Sequence, residues 1–113
     1  MEAASTIAHA PMPQHMRALA EANRVRLARA ALKRAVEAGD VDTAAVVREC
    51  PWEAETMTIG ELLRSQRRWG RTRTRKFLSA LSLNENRQLG RLTLRQRSLL
   101  AGMLDAKFGV RTN

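Results

Sequence analysis

Between Gln66 and Lys76 the sequence reads Gln-Arg-Arg-Trp-Gly-Arg-Thr-Arg-Thr-Arg-Lys, six cations in eleven residues. Guanidinium groups present planar donor forks that match phosphate oxygens. Helical patterns flank the stretch: Ile59, Leu62 and Leu63 before it, Phe77, Leu78 and Leu81 after it. The chain must turn between them. Gly70 is the residue there that takes a positive φ without steric cost. Trp69 can plug the turn into the core. Thr72 is placed to cap the helix that follows, which leaves Arg73, Arg75 and Lys76 near its start. Cations there oppose the helix dipole, and a bound anion would compensate them. The chemistry indicated is phosphate gripping through Arg68, Gly70, Arg71, Thr72 and Arg73. The competing structural reading is a helical hairpin with a solvated basic corner.

Two further groups of cations carry the same chemistry. Arg87, Arg91, Arg95 and Arg97 line the entry to the last helix. Arg26, Arg29 and Lys33, spaced three and four apart, form one basic stripe on the first helix. Catalysis finds little support. His9 and His15 have no ligand partner at useful spacing, the serines carry no nucleophile signature, and glycine-rich nucleotide motifs are absent. The expectation is a protein that is not an enzyme and needs no cofactor or metal.

Charge and composition point the same way. The chain has 113 residues and a formal net charge of +9, which implies a polyanionic partner. From Arg64 to Arg97 eleven cations face Glu85 alone, whereas Glu37 to Glu61 holds seven acids and only Arg48. A merely solvated surface would mix the signs. The single Cys50 rules out an internal disulfide framework and fits a cytoplasmic location. No apolar run is long enough to span a membrane, and a signal-peptide pattern is not seen.

The elements that must position these residues are helical, since alanine supplies much of the apolar content. Residues 1–12 read as a flexible leader. A long basic helix spans 13–39, with Pro13 in its first turn and Gly39 as its stop. Leu32 and Val36 dock its lower end, while the upper half projects. Within 40–113, Asp40 or Asp42 starts a short helix carrying Val46 and Val47 that ends at Pro51, and Trp52 packs under a loop. Thr58-x-x-Glu61 and Thr93-x-x-Gln96 are capping boxes. Leu99, Leu100, Met103, Leu104 and Phe108 give the last helix an apolar face, and Gly109 ends it.

With these pieces in order the chain resembles the actinobacterial integration host factor family, the mycobacterial and Streptomyces nucleoid proteins. The resemblance rests on Met57-x-Ile59-x-x-Leu62-Leu63, on Gly70-Arg71 at the family's Val-Gly-Lys turn, and on Arg87-x-Leu89, Leu92 and Arg95-Gln96-Arg97. It implies an all-α fold of about five helices, a long N-terminal helix followed by a compact helix–two-turns–helix domain. It also implies double-stranded DNA as the partner, with little sequence preference and with effects on DNA shape, supercoiling and compaction. A second DNA segment or a second protein copy are further candidate partners. Gly70 and Arg71 would then sit at the gripping turn, Arg87, Arg95 and Arg97 at the second basic link, and Arg26, Arg29 and Lys33 at basic positions of the first helix. The chain departs from the family at Arg67, at Trp69 and in the run Leu89-Gly90-Arg91-Leu92-Thr93. Two other readings compete: an RNA-binding or ribosome-associated protein of the same fold, and a DNA-binding module derived from a repair enzyme.

Overall fold

The computed structural model describes residues 13–108, so the leader and the stop expected at Gly109 lie outside it. Among the described residues five α-helices follow in order: α1 Gln14–Ala38, α2 Thr43–Glu49, α3 Ile59–Arg64, α4 Arg71–Ala80 and α5 Leu94–Phe108. Single 3-10 turns lie at Trp52–Ala54 and Leu89–Arg91. The fold is all-helical, and the sole β-type pairing among the described residues is an isolated bridge between Thr58 and Gln88.

Helix α1 is long because alanine dominates it and nothing in its interior breaks the pattern. At 1.5 Å per residue it spans roughly 37 Å, and the molecule is 58 Å along its longest axis. Pro13 precedes the helix as its N-terminal boundary residue rather than joining its first turn. Gly39 adopts φ 82 and its N–H donates back to the carbonyls of Ala35 and Val36. That left-handed cap is the conformation only glycine takes cheaply.

The core forms where short helices stack. Ile59, Leu62 and Leu63 of α3 are fully buried, together with Met57, Val47, Leu78, Leu89, Leu100 and Leu104. Each such side chain contributes about 1.5–3 kcal/mol by leaving water. Helix α2 packs along α5, and α3 packs against α4. Leu32 and Val36 are the two buried residues of α1.

The last helix turns its face differently from the expected one. Leu100, Ala101 and Leu104 are buried, while Leu99 and Met103 are 48% and 41% exposed. Leu99 and Met103 lie about 100° round the helix from Leu100 and Leu104 respectively, on the flank opposite Ala101. Trp52 likewise does not pack under a loop. It is 46% exposed and lies beneath the guanidinium of Arg24, 4.1 Å from the ring centroid.

The segment 55–60 is stitched to the link 85–90 by backbone. Ile59 N–H donates to Arg87 O at 2.8 Å, Gly60 N–H to Glu85 O at 2.9 Å, Leu89 N–H to Met57 O at 2.9 Å and Gly90 N–H to Glu55 O at 2.9 Å. Glycine is required at both contacts. A Cβ at Gly60 would lie 2.8 Å from Glu85 O, and one at Gly90 2.9 Å from Glu55 O.

Candidate nucleic-acid interface

The basic corner is built by the exit from α3. Ser65 N–H and Gln66 N–H donate to Leu62 O and Leu63 O, both at 3.1 Å, and Trp69 N–H donates to Gln66 O at 3.1 Å. The positive backbone angle falls on Arg68, φ 69, and not on Gly70. Gly70 is extended at φ −91, ψ −173 and stands at the N-cap of α4. A Cβ there would meet nothing within 4 Å. The fold itself therefore does not need glycine at 70; its absent side chain leaves the backbone at the corner open to an approaching ligand.

Trp69 closes the corner as expected. It is 4% exposed and meets Phe77 edge-on, ring centroids 5.2 Å apart at 81°. Arg73 lies over its ring, with the guanidinium 4.6 Å from the centroid. That stacking contributes about 0.5–1 kcal/mol at an exposed site and holds Arg73 beside the corner.

Thr72 does not cap α4. It lies inside the first turn, and no side chain caps the helix. The N–H groups of the first turn, contributed by Arg71, Thr72 and Arg73, thus lack intrahelical acceptors. Beside them stand the exposed residues Arg68 and Arg71, which form no ion pair among the described residues. Arg75 is different: it donates to Glu85 at 3.1 Å, as does Arg64. Lys76 is exposed.

The second link places Arg87, Arg91 and Arg95 at the surface. Its two turns, closed by Arg87 N–H on Asn84 O and Arg91 N–H on Gln88 O, separate α4 from α5. The Thr93–Gln96 capping box is complete, with both reciprocal bonds at 2.9 and 3.0 Å. Arg97 is half-buried, with its Nε shielded from water and unpartnered, and lines a 460 Å³ cleft with Glu49, Cys50, Glu55 and Gln88. The corner and this link sit at opposite ends of α3, about 9 Å apart along a six-residue helix. Glu85 lies between them.

The stripe expected on α1 does not stay free. Lys33 pairs with Glu61 at 3.0 Å, and Arg29 donates to Thr56 Oγ1. Arg29 tethers α1 to the segment that leads into α3, and Lys33 tethers it to α3 itself. Glu61 therefore turns toward Lys33, and only the Thr58 half of the first capping box forms, Glu61 N–H to Thr58 Oγ1 at 3.1 Å. Arg24 pairs with Glu21 at 2.9 Å, and that bond lowers the Glu21 pKa. Arg26 remains exposed. The projecting part of α1 is thus the stretch before Arg24, shorter than half the helix. The sequence assigned no role to Arg34 or Arg67, both exposed and facing each other across a groove.

Among the described residues no group of three or more His, Cys, Asp or Glu could hold a metal ion. No helix among them is long and apolar enough to cross a membrane.

No family model matches the chain, and no curated protein matches it. A solved structure does: sIHF bound to an 8-base-pair palindromic DNA. The two share 21% identity and superpose with a TM-score of 0.67, over 74% of this chain and 97% of that one. At this identity the likeness is one of fold, and the chain has the all-helical architecture of sIHF.

Proposed function

We propose that this protein is an architectural DNA-binding protein of the integration host factor type, which grips the phosphate backbone of duplex DNA with little sequence preference. The observation that carries this is the corner: an uncapped α4 N-terminus, an open Gly70, and Arg68, Arg71 and Arg73, which form no ion pair among the described residues. Free N–H groups and guanidinium forks bind phosphate oxygens without reading bases. Arg87, Arg91 and Arg95 extend the contact to the second link. The DNA in the sIHF complex supports the same partner. In a cell such a protein would act in the nucleoid, altering DNA shape, supercoiling or compaction.

The test is Gly70→Glu. The structure has room for the side chain, so the thermal unfolding midpoint should stay within a few degrees of the parent. Duplex affinity should fall more than tenfold, because a carboxylate enters the anion position. Unchanged affinity in a folded variant would refute the assignment of the corner.

A further inference from the structure

A groove of about 840 Å³ lies between α1 and the corner. One wall is Ala30, Lys33, Arg34 and Glu37 of α1, and the other is Arg64 to Gly70. Its charges are not self-cancelling. Glu61 is matched by Lys33 at 3.0 Å, and Arg64 by Glu85 at 3.1 Å. Among the described residues Arg34, Arg67 and Arg68 form no ion pair; Glu37 is the one unpaired acid lining this groove, and Asp40, Asp42 and Asp105 line a neighbouring cleft with Arg67 and Arg68. Arg68 faces this groove from a left-handed backbone conformation, φ 69. A non-glycine residue there carries backbone strain, of the kind that persists at binding sites. The groove is open along its length and far larger than one phosphate, so a small anion would be poorly held.

We infer that this groove seats a run of phosphodiester backbone, with Arg34 on one wall and Arg67 and Arg68 on the other. Helix α1 and the corner are then one continuous track and not two separate DNA-binding surfaces. The inference rests on the duplex-binding reading above and adds Arg34 and Arg67 to it. It also explains why Arg29 and Lys33 are spent on tethering: they hold α1 at the distance that leaves the groove open.

The experiment compares Arg34→Gln with Arg17→Gln by fluorescence anisotropy in a salt series. Both residues are exposed cations of α1 that form no ion pair among the described residues, and both variants lose one charge, but Arg17 lies outside the groove. The probe is a duplex of about 12 base pairs, roughly 40 Å long at 3.4 Å per step. Loss of one phosphate contact removes about 0.9 released counterions, or about eightfold in affinity at 0.1 M salt. Arg34→Gln should show that loss, and Arg17→Gln should bind as the parent does. Arg34→Lys should keep the salt slope. Parent-like binding by Arg34→Gln overturns the groove, as does an equal loss in Arg17→Gln, which would reduce the effect to net charge. If Gly70→Glu still abolishes binding in that case, the corner stands and the groove alone falls. A parent protein that does not bind the duplex overturns both.

Discussion

Gly60→Ala should cost more than its single methyl suggests. Gly60 is fully packed in the first turn of α3, and an added Cβ would lie 2.8 Å from Glu85 O and 2.9 Å from Glu85 Cβ. The nearest atom is a backbone carbonyl and the Glu85 Cβ is fixed to the same backbone, so the link must shift; Arg64 Nη1, at 2.9 Å, can move aside. Overpacking of this kind costs about 1–3 kcal/mol. The shift also weakens the Ile59–Arg87 and Gly60–Glu85 hydrogen bonds, at about 0.5–1.5 kcal/mol each. Alanine's helix preference returns at most about 1 kcal/mol. The net expectation is a loss of about 3 kcal/mol. With a urea m-value near 1.5 kcal/mol/M, the unfolding midpoint should fall by about 2 M. Gly102→Ala is the control, because a Cβ there meets nothing within 4 Å in the middle of α5. It should stabilise the protein by about 0.5–1 kcal/mol. If Gly60→Ala unfolds within about 0.5 kcal/mol of the parent, the stitching of the link to α3 is wrong.

Two other outcomes follow from the same geometry. Glu85→Gln releases Arg64 and Arg75 and removes the carboxylate between the two basic links, so duplex affinity should rise about fivefold, from roughly 1 kcal/mol of relieved repulsion; its stability cost should stay under about 1 kcal/mol because the pairs are partly exposed, and a fall in affinity in the folded variant would contradict this. Burial pushes the Cys50 thiol up, with the Arg97 guanidinium pulling weakly the other way. An acid whose pKa is raised by folding contributes stability that is complete below the unfolded value, about 8.5 for cysteine, and lost as pH rises toward the folded value. Iodoacetamide should therefore label Cys50 slowly at neutral pH, with the rate still climbing above the range where a free thiol levels off; a plateau at the free-thiol pH would show that burial has no such effect.

What the sequence made legible was local. Leu32 and Val36, four apart in an alanine-rich helix, mark the docked face of α1 because helix periodicity leaves no other arrangement. Gly39 and the Thr93–Gln96 box mark helix ends through bonds made within a few residues. The basic corner was visible as a run of arginines around Trp69 and Gly70.

What stayed hidden depended on partners far along the chain. Arg29 and Lys33 look free until Thr56 and Glu61 fold against them. Gly60 and Gly90 look like ordinary glycines until the link at 85–90 lies against them. Arg68 took the left-handed position that glycine chemistry assigns to Gly70, because the Trp69 ring must enter the core one residue later. Leu99 and Met103 fit the apolar pattern of α5, and only the packed fold shows that the buried stripe runs through Leu100, Ala101 and Leu104 instead.

The most direct test of the central claim is the salt dependence of binding to a mixed-sequence duplex, with duplex RNA and single strands as competitors. The account predicts that log affinity falls steeply with log salt, by roughly four to eight phosphates' worth at about 0.9 each, and that duplex DNA outcompetes RNA. A shallow slope, or RNA as the stronger competitor, would mean that the arginine-lined corner and link serve a different partner.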